Sequence, residues 1–113
     1  MRLCVFGLAF VAASTPTLAV EKGVDDLLRV ASASAAIIQF CAPRYAVDTD
    51  FAFGFGKAAR DAAYQVLGPL DGDTEIRGEL SRRYEEVKAM GEDRWCRAER
   101  ALYREQNVPI FKD

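Results

Sequence analysis

Acid–base chemistry in this sequence can fall only to carboxylates or lysines, because its 113 residues contain no histidine. That absence removes the Ser-His-Asp and Cys-His arrangements, the imidazole metal ligands and the usual base near neutral pH. Three carboxylate pairs remain: Asp48 with Asp50, Asp71 with Asp73, and Glu85 with Glu86. Two carboxyls hydrolyse a glycoside when one is desolvated and both converge on the scissile bond. Neighbouring glutamates on a helix point about 100° apart, so Glu85 and Glu86 read instead as solvated partners of Arg82, Arg83 and Lys88. Asp71-Gly72-Asp73-Thr74-Glu75 has the start of a calcium loop, but Ile76 replaces the loop glycine and Arg82 the bidentate glutamate. Counting from Asp48 puts Phe53 and Ala59 at those two places. The aspartates therefore read as turn and cap residues. Gly54-Phe55-Gly56-Lys57 lacks the further specified positions and the preceding strand of a phosphate loop. The sequence thus assigns no catalytic residue, no metal ligand and no cofactor.

Three cysteines are encoded, Cys4, Cys41 and Cys96. Cys4 sits in an N-terminal stretch built as a secretory signal: Met1-Arg2, an apolar run from Leu3 to Ala13, then Ser14-Thr15-Pro16-Thr17-Leu18-Ala19. Pro16 breaks the helix before the expected cut after Ala19, with Ala13 as an alternative. The polar interruption comes too early for a spanning helix, which needs about 20 apolar residues. Cleavage would leave residues 20–113, or 113 − 19 = 94 residues, as one domain with no membrane span. Cys41 and Cys96 would then be the remaining pair. In an oxidising compartment they are expected to form a disulfide closing a 96 − 41 = 55 residue loop. Losing Arg2 leaves 14 basic and 17 acidic residues, a net charge of −3, which gives no electrostatic case for nucleic acid. The composition, rich in Ala, Arg and Asp with a single Asn, suits a GC-rich bacterial genome and hence a periplasm.

Three helical segments must position these residues. The first runs from about Val24 to Cys41, with Val24, Leu27, Leu28, Ala31, Ala35 and Ile38 at helical spacing and Pro43 as its stop. The second covers about Asp50 to Leu67; Phe51, Phe55, Ala58, Ala62 and Val66 share one face, and Phe53, Tyr64 and Leu67 the other. Gly68-Pro69 and Asp71-Gly72-Asp73 read as a connector. The third spans about Thr74 to Gln106 with Asp73 as its cap, along the stripe Ile76, Leu80, Tyr84, Val87, Gly91, Trp95, Ala98 and Leu102. Gly91 is a point where it would divide in two. The expected fold is all-α, a small three- to four-helix bundle closed by the Cys41–Cys96 disulfide.

Five aromatics, Phe40, Tyr45, Phe51, Phe53 and Phe55, fall within sixteen residues beside Arg44. An apolar tail, Val108-Pro109-Ile110-Phe111, follows the last helix and either docks back or binds elsewhere. Tyr45, Phe53, Phe111 and Arg44 are therefore the expected contact residues for a protein partner or a second copy. The layout of a signal, two cysteines about fifty residues apart and a small helical domain is similar to that of the periplasmic acid-stress chaperones. Small periplasmic immunity or inhibitor proteins share it. The resemblance is one of layout and carries no residue over. It implies, on the first comparison, a protein that opens in acid.

Overall fold

In the computed structural model, which describes residues 23–113, helix α1 covers residues 23–36 and widens into a π-helical turn at Ile37–Cys41. The signal peptide, both cleavage points and Cys4 lie outside the described residues. The Ala42 N–H donates to the Ile37 carbonyl at 3.1 Å, the wide bond of that turn, and Pro43 follows where helix cannot continue.

Helix α2 spans Thr49–Leu67 and starts on a side-chain cap, the Phe51 N–H donating to Asp48 Oδ1 at 3.0 Å. It ends at Gly68, whose φ of +87° suits glycine alone among the natural residues there. Helix α3, Pro69–Met90, begins at once, five residues before the expected Thr74. Gly68 makes the turn unaided, and Pro69 takes the first helical position, where its missing N–H costs nothing. The expected connector 71–73 is thus helical, and Asp73 is no cap; it pairs with Arg77 and accepts the Tyr64 hydroxyl at 3.3 Å. Gly72 lets α3 pass under Tyr64, since a Cβ there would stand 2.4 Å from the ring.

Gly91, with φ +88° and ψ 147°, separates α3 from α4, Glu92–Glu105. The described chain is therefore a four-helix bundle. The break also shifts the helical phase. On α4 the buried positions are Trp95, Cys96, Glu99 and Tyr103, while Ala98 is exposed. On α3 they are Gly72, Arg83 and Val87, and Tyr84 stands at the edge, donating to Gln39. On α2 the buried stripe is made of small residues, Ala52, Gly56, Ala59 and Ala63, and Val66 faces outward. Small side chains let α2 approach α1 closely; a Cβ on Gly56 would lie 2.8 Å from Ser34 Cβ.

Cys41 and Cys96 are bonded, with Cα atoms 5.6 Å apart. Around them lies the larger core, with Ile37, Trp95, Tyr103, Ile110 and Phe111. A smaller cluster of Val24, Leu28 and Ala63, flanked by Leu27, Leu67 and Ile76, occupies the other end. The tail docks back. Phe111 bridges Val47 in antiparallel fashion, the Asp48 N–H donates to the Ile110 carbonyl at 2.8 Å, and the Lys112 N–H donates to Ala46 at 2.7 Å. No helix among the described residues is long and apolar enough to cross a membrane.

Candidate functional site

Arg44, Tyr45 and Phe111 meet in the fold, and Phe53 stands apart from them. The turn after Cys41 places Arg44 against Glu92 at 3.2 Å and the Tyr45 hydroxyl on Asp93 Oδ1 at 2.8 Å. That hydrogen bond raises the Tyr45 pKa. Phe111 packs edge-on to the Tyr45 ring at 6.1 Å and is only 7% exposed. Arg100 lies over the same ring and pairs with Asp113. These residues clamp the α1–α2 connector, the first turn of α4 and the tail to one another.

The other aromatics also find partners. Phe51 and Phe55, one turn apart on α2, stack at 5.5 Å, and Phe55 meets Tyr103 edge-on at 6.5 Å. Phe40 packs against Tyr84 at 5.6 Å. Phe53 is two residues from Phe51 and Phe55, about 200° around the helix from each, so it points outward and is 65% exposed.

Phe53 borders a cavity of about 370 Å³ between α1 and α2, floored by Ala35, Ile38, Ala52 and Gly56 and edged by Lys57 and Arg60. Asp61 accepts from both cations, at 3.0 Å from Lys57 and 3.2 Å from Arg60, which hold its carboxyl below the usual range. Further along α1 a second cavity, about 520 Å³, is walled by Val24, Leu28, Val66 and Leu67 and edged by Asp25, Asp71 and Glu75.

A different constellation joins α1, α3 and α4. Glu99, 4% exposed, accepts from Arg29 at 2.9 Å. Arg83, 5% exposed, reaches Glu86 at 3.0 Å, and Glu86 also accepts from the Trp95 indole at 3.1 Å. Burial raises the Glu99 pKa despite the opposing Arg29. Burial, with the nearby Glu99 charge, pushes the Tyr103 phenol up to about 12. The adjoining cleft is edged by Asp25, Asp26 and Glu79 against Arg29, Arg82 and Arg83, so its charges match and it favours neither anion nor cation. Glu99 lines none of the three cavities. The arrangement fastens α1, α3 and α4 together.

The sequence reading places Arg83 on the solvated face and passes over Glu99. One signal marks Glu99: moving the stripe one position beyond Gly91 gives Cys96, Glu99 and Tyr103 at helical spacing; no signal marks Arg83. Among the described residues no three His, Cys, Asp or Glu converge as a metal-ligand set. No family model, curated protein or solved structure matches this chain.

Proposed function

We propose that this chain is an exported, non-catalytic binding protein whose docking face is the Phe53 side of the α1–α2 pair. One observation carries the reading: the fold engages every neighbouring aromatic and leaves Phe53 over an apolar groove in contact with water. Burying a phenylalanine side chain is worth about 1.5–3 kcal/mol, and in the free chain much of that remains unrealised. A large aromatic beside an apolar pocket with charged groups around it has the form of an interface anchor. Tyr45 and Phe111 pack on each other and Arg44 pairs with Glu92 at the surface; in this reading they serve the face indirectly, by fixing the end of α1 and the start of α2. Export is supported by the N-terminal pattern of the sequence and by the disulfide, which suits an oxidising compartment.

The test is affinity capture by the oxidised protein, residues 20–113, from an extract of the compartment to which it is exported. A stoichiometric bound species that disappears with Phe53→Asp is the expected result. Retention of the same species by Phe53→Asp, with its loss on changing Tyr45 or Arg44, would place binding elsewhere and overturn the assignment of this face.

A further inference from the structure

The cavity of about 370 Å³ beside Phe53 touches three helices, with Ser34 and Ile38 on α1, Ala52 and Gly56 on α2, and Ile76 on α3. Its size sits near the lower end of small-molecule sites, which run from about 300 to 1,000 Å³. Below the charged mouth its wall is apolar except at one place. Ser34 is 1% exposed, and its hydroxyl has no hydrogen-bond partner. The Ser32 hydroxyl, by contrast, donates to the Arg29 carbonyl at 3.1 Å and so closes on its own helix. Gly56 presents no side chain to Ser34; a Cβ there would stand 3.4 Å from the Ser34 oxygen and 2.8 Å from its Cβ. A buried hydroxyl without a partner is costly, and ligand sites use a polar group in an apolar wall to orient what enters. Charge gives the ligand no sign. Lys57 and Arg60 at the mouth are balanced by Asp61, which accepts from both, and by exposed Asp50, one turn before Phe53.

We infer that this cavity binds a phenol, an uncharged aromatic ring carrying one hydroxyl, with the ring against Ile38, Ala52 and Ile76 and the hydroxyl paired with Ser34 Oγ. The inference rests on the reading of the Phe53 side as a binding face and names the ligand class that enters it. A serine hydroxyl both donates and accepts, and so does a phenol, so the pair satisfies the buried oxygen. A hydrocarbon ring of the same size fills the space and leaves Ser34 unpaired. An ion gains no net attraction from the balanced mouth and loses its hydration inside. An aliphatic alcohol meets Ser34 equally well, and Phe53 decides for the aromatic ring. Its side chain, 65% exposed at the mouth, offers a face or an edge to a second ring and leaves water as it covers the ligand.

The test is an NMR titration of the oxidised protein, residues 20–113, with p-cresol, toluene and 4-methylcyclohexanol, following the backbone amides. A ligand as small as p-cresol is expected to bind with a Kd of order 1 mM, shifting the amides of Ser34, Phe53 and Gly56. Toluene, which lacks the hydroxyl, is expected to bind about five- to tenfold more weakly, the usual worth of one hydrogen bond. 4-Methylcyclohexanol, which lacks the aromatic ring, is also expected to bind more weakly than p-cresol. Ser34→Ala, confirmed folded by circular dichroism, is expected to bring p-cresol down to the affinity of toluene and to leave toluene unchanged. No shift at these amides with p-cresol overturns the inference. So does p-cresol binding that toluene or 4-methylcyclohexanol matches, or that Ser34→Ala leaves intact. A chain that ignores p-cresol yet captures a protein through Phe53 would overturn this inference alone. One that binds p-cresol through Ser34 yet captures nothing through Phe53 would support the pocket and remove the protein-docking face, so the two failures are distinguishable.

Discussion

Single residues decide how closely the helices of this protein approach and what charge they bury. Gly56 and Gly54 look alike in sequence, and the structure separates them. A Cβ at Gly56 meets Ser34, whereas nothing lies within 4 Å of one at Gly54. Gly56→Ala is therefore expected to cost about 1–2 kcal/mol through overpacking, and Gly54→Ala to gain about 0.5–1 kcal/mol through lost chain entropy; urea unfolding of both variants checks this. Glu99 gives a prediction with a definite sign. Its carboxyl has a raised pKa in the fold, so the folded chain takes up this proton more readily than the unfolded one. Its contribution to stability grows as pH falls from neutral through the folded pKa and is lost as pH rises again. Glu99→Gln should remove that slope in urea midpoints measured between about pH 4 and 7. Glu99→Ala should cost about 2–3 kcal/mol, because Arg29 loses its acceptor. A device that opens in acid needs the opposite, a carboxylate held low in the fold. Asp61 is held low, but it is solvent-facing and its ion pairs are local.

At the scale of elements, the readable parts were those marked by a residue with one strong preference. Pro43 ends α1 and Asp48 caps α2, as their chemistry requires, whereas Gly91 left the last segment open between one helix and two, and the structure divides it there. The start of α3 was not readable from the aspartates and glycine of 71–73. Those residues favour turns in isolation, yet here the adjacent pair Gly68-Pro69 completes the turn and begins the helix. The inward face of α2 was hidden for a different reason. Hydrophobic periodicity gives weight to large side chains, while Ala52, Gly56, Ala59 and Ala63 bury little area each and act by allowing close approach. The stripe on α4 was misplaced because a single glycine changes the phase of everything after it. Gly91 lies in a region of backbone space that is almost exclusive to glycine, so Gly91→Ala is expected to cost about 1–3 kcal/mol. Thermal unfolding of that variant checks the expectation, and an unchanged midpoint would contradict it.

Over the whole molecule, the disulfide and the docked tail close one end, and the proposed docking face occupies the side that runs towards the other. The helical class and the Cys41–Cys96 bond were legible because two cysteines and periodic segments leave few arrangements for so short a chain. Which aromatics remain exposed was not legible, since it depends on how α1, α2 and the tail meet. Closing a 55-residue loop contributes about 4 kcal/mol by chain entropy, so the Cys41→Ala, Cys96→Ala double variant should lose stability of that order in urea titration. The central claim, that the Phe53 side is where this protein makes contact, is tested most directly by placing a photo-activated phenylalanine analogue at position 53 in the cell that makes the protein. The control carries the analogue in place of Arg104, exposed on α4. A discrete cross-linked product from position 53, whether with a second copy or another protein, and none from position 104, is the predicted result. No product from position 53, or the same products from both positions, would contradict the account.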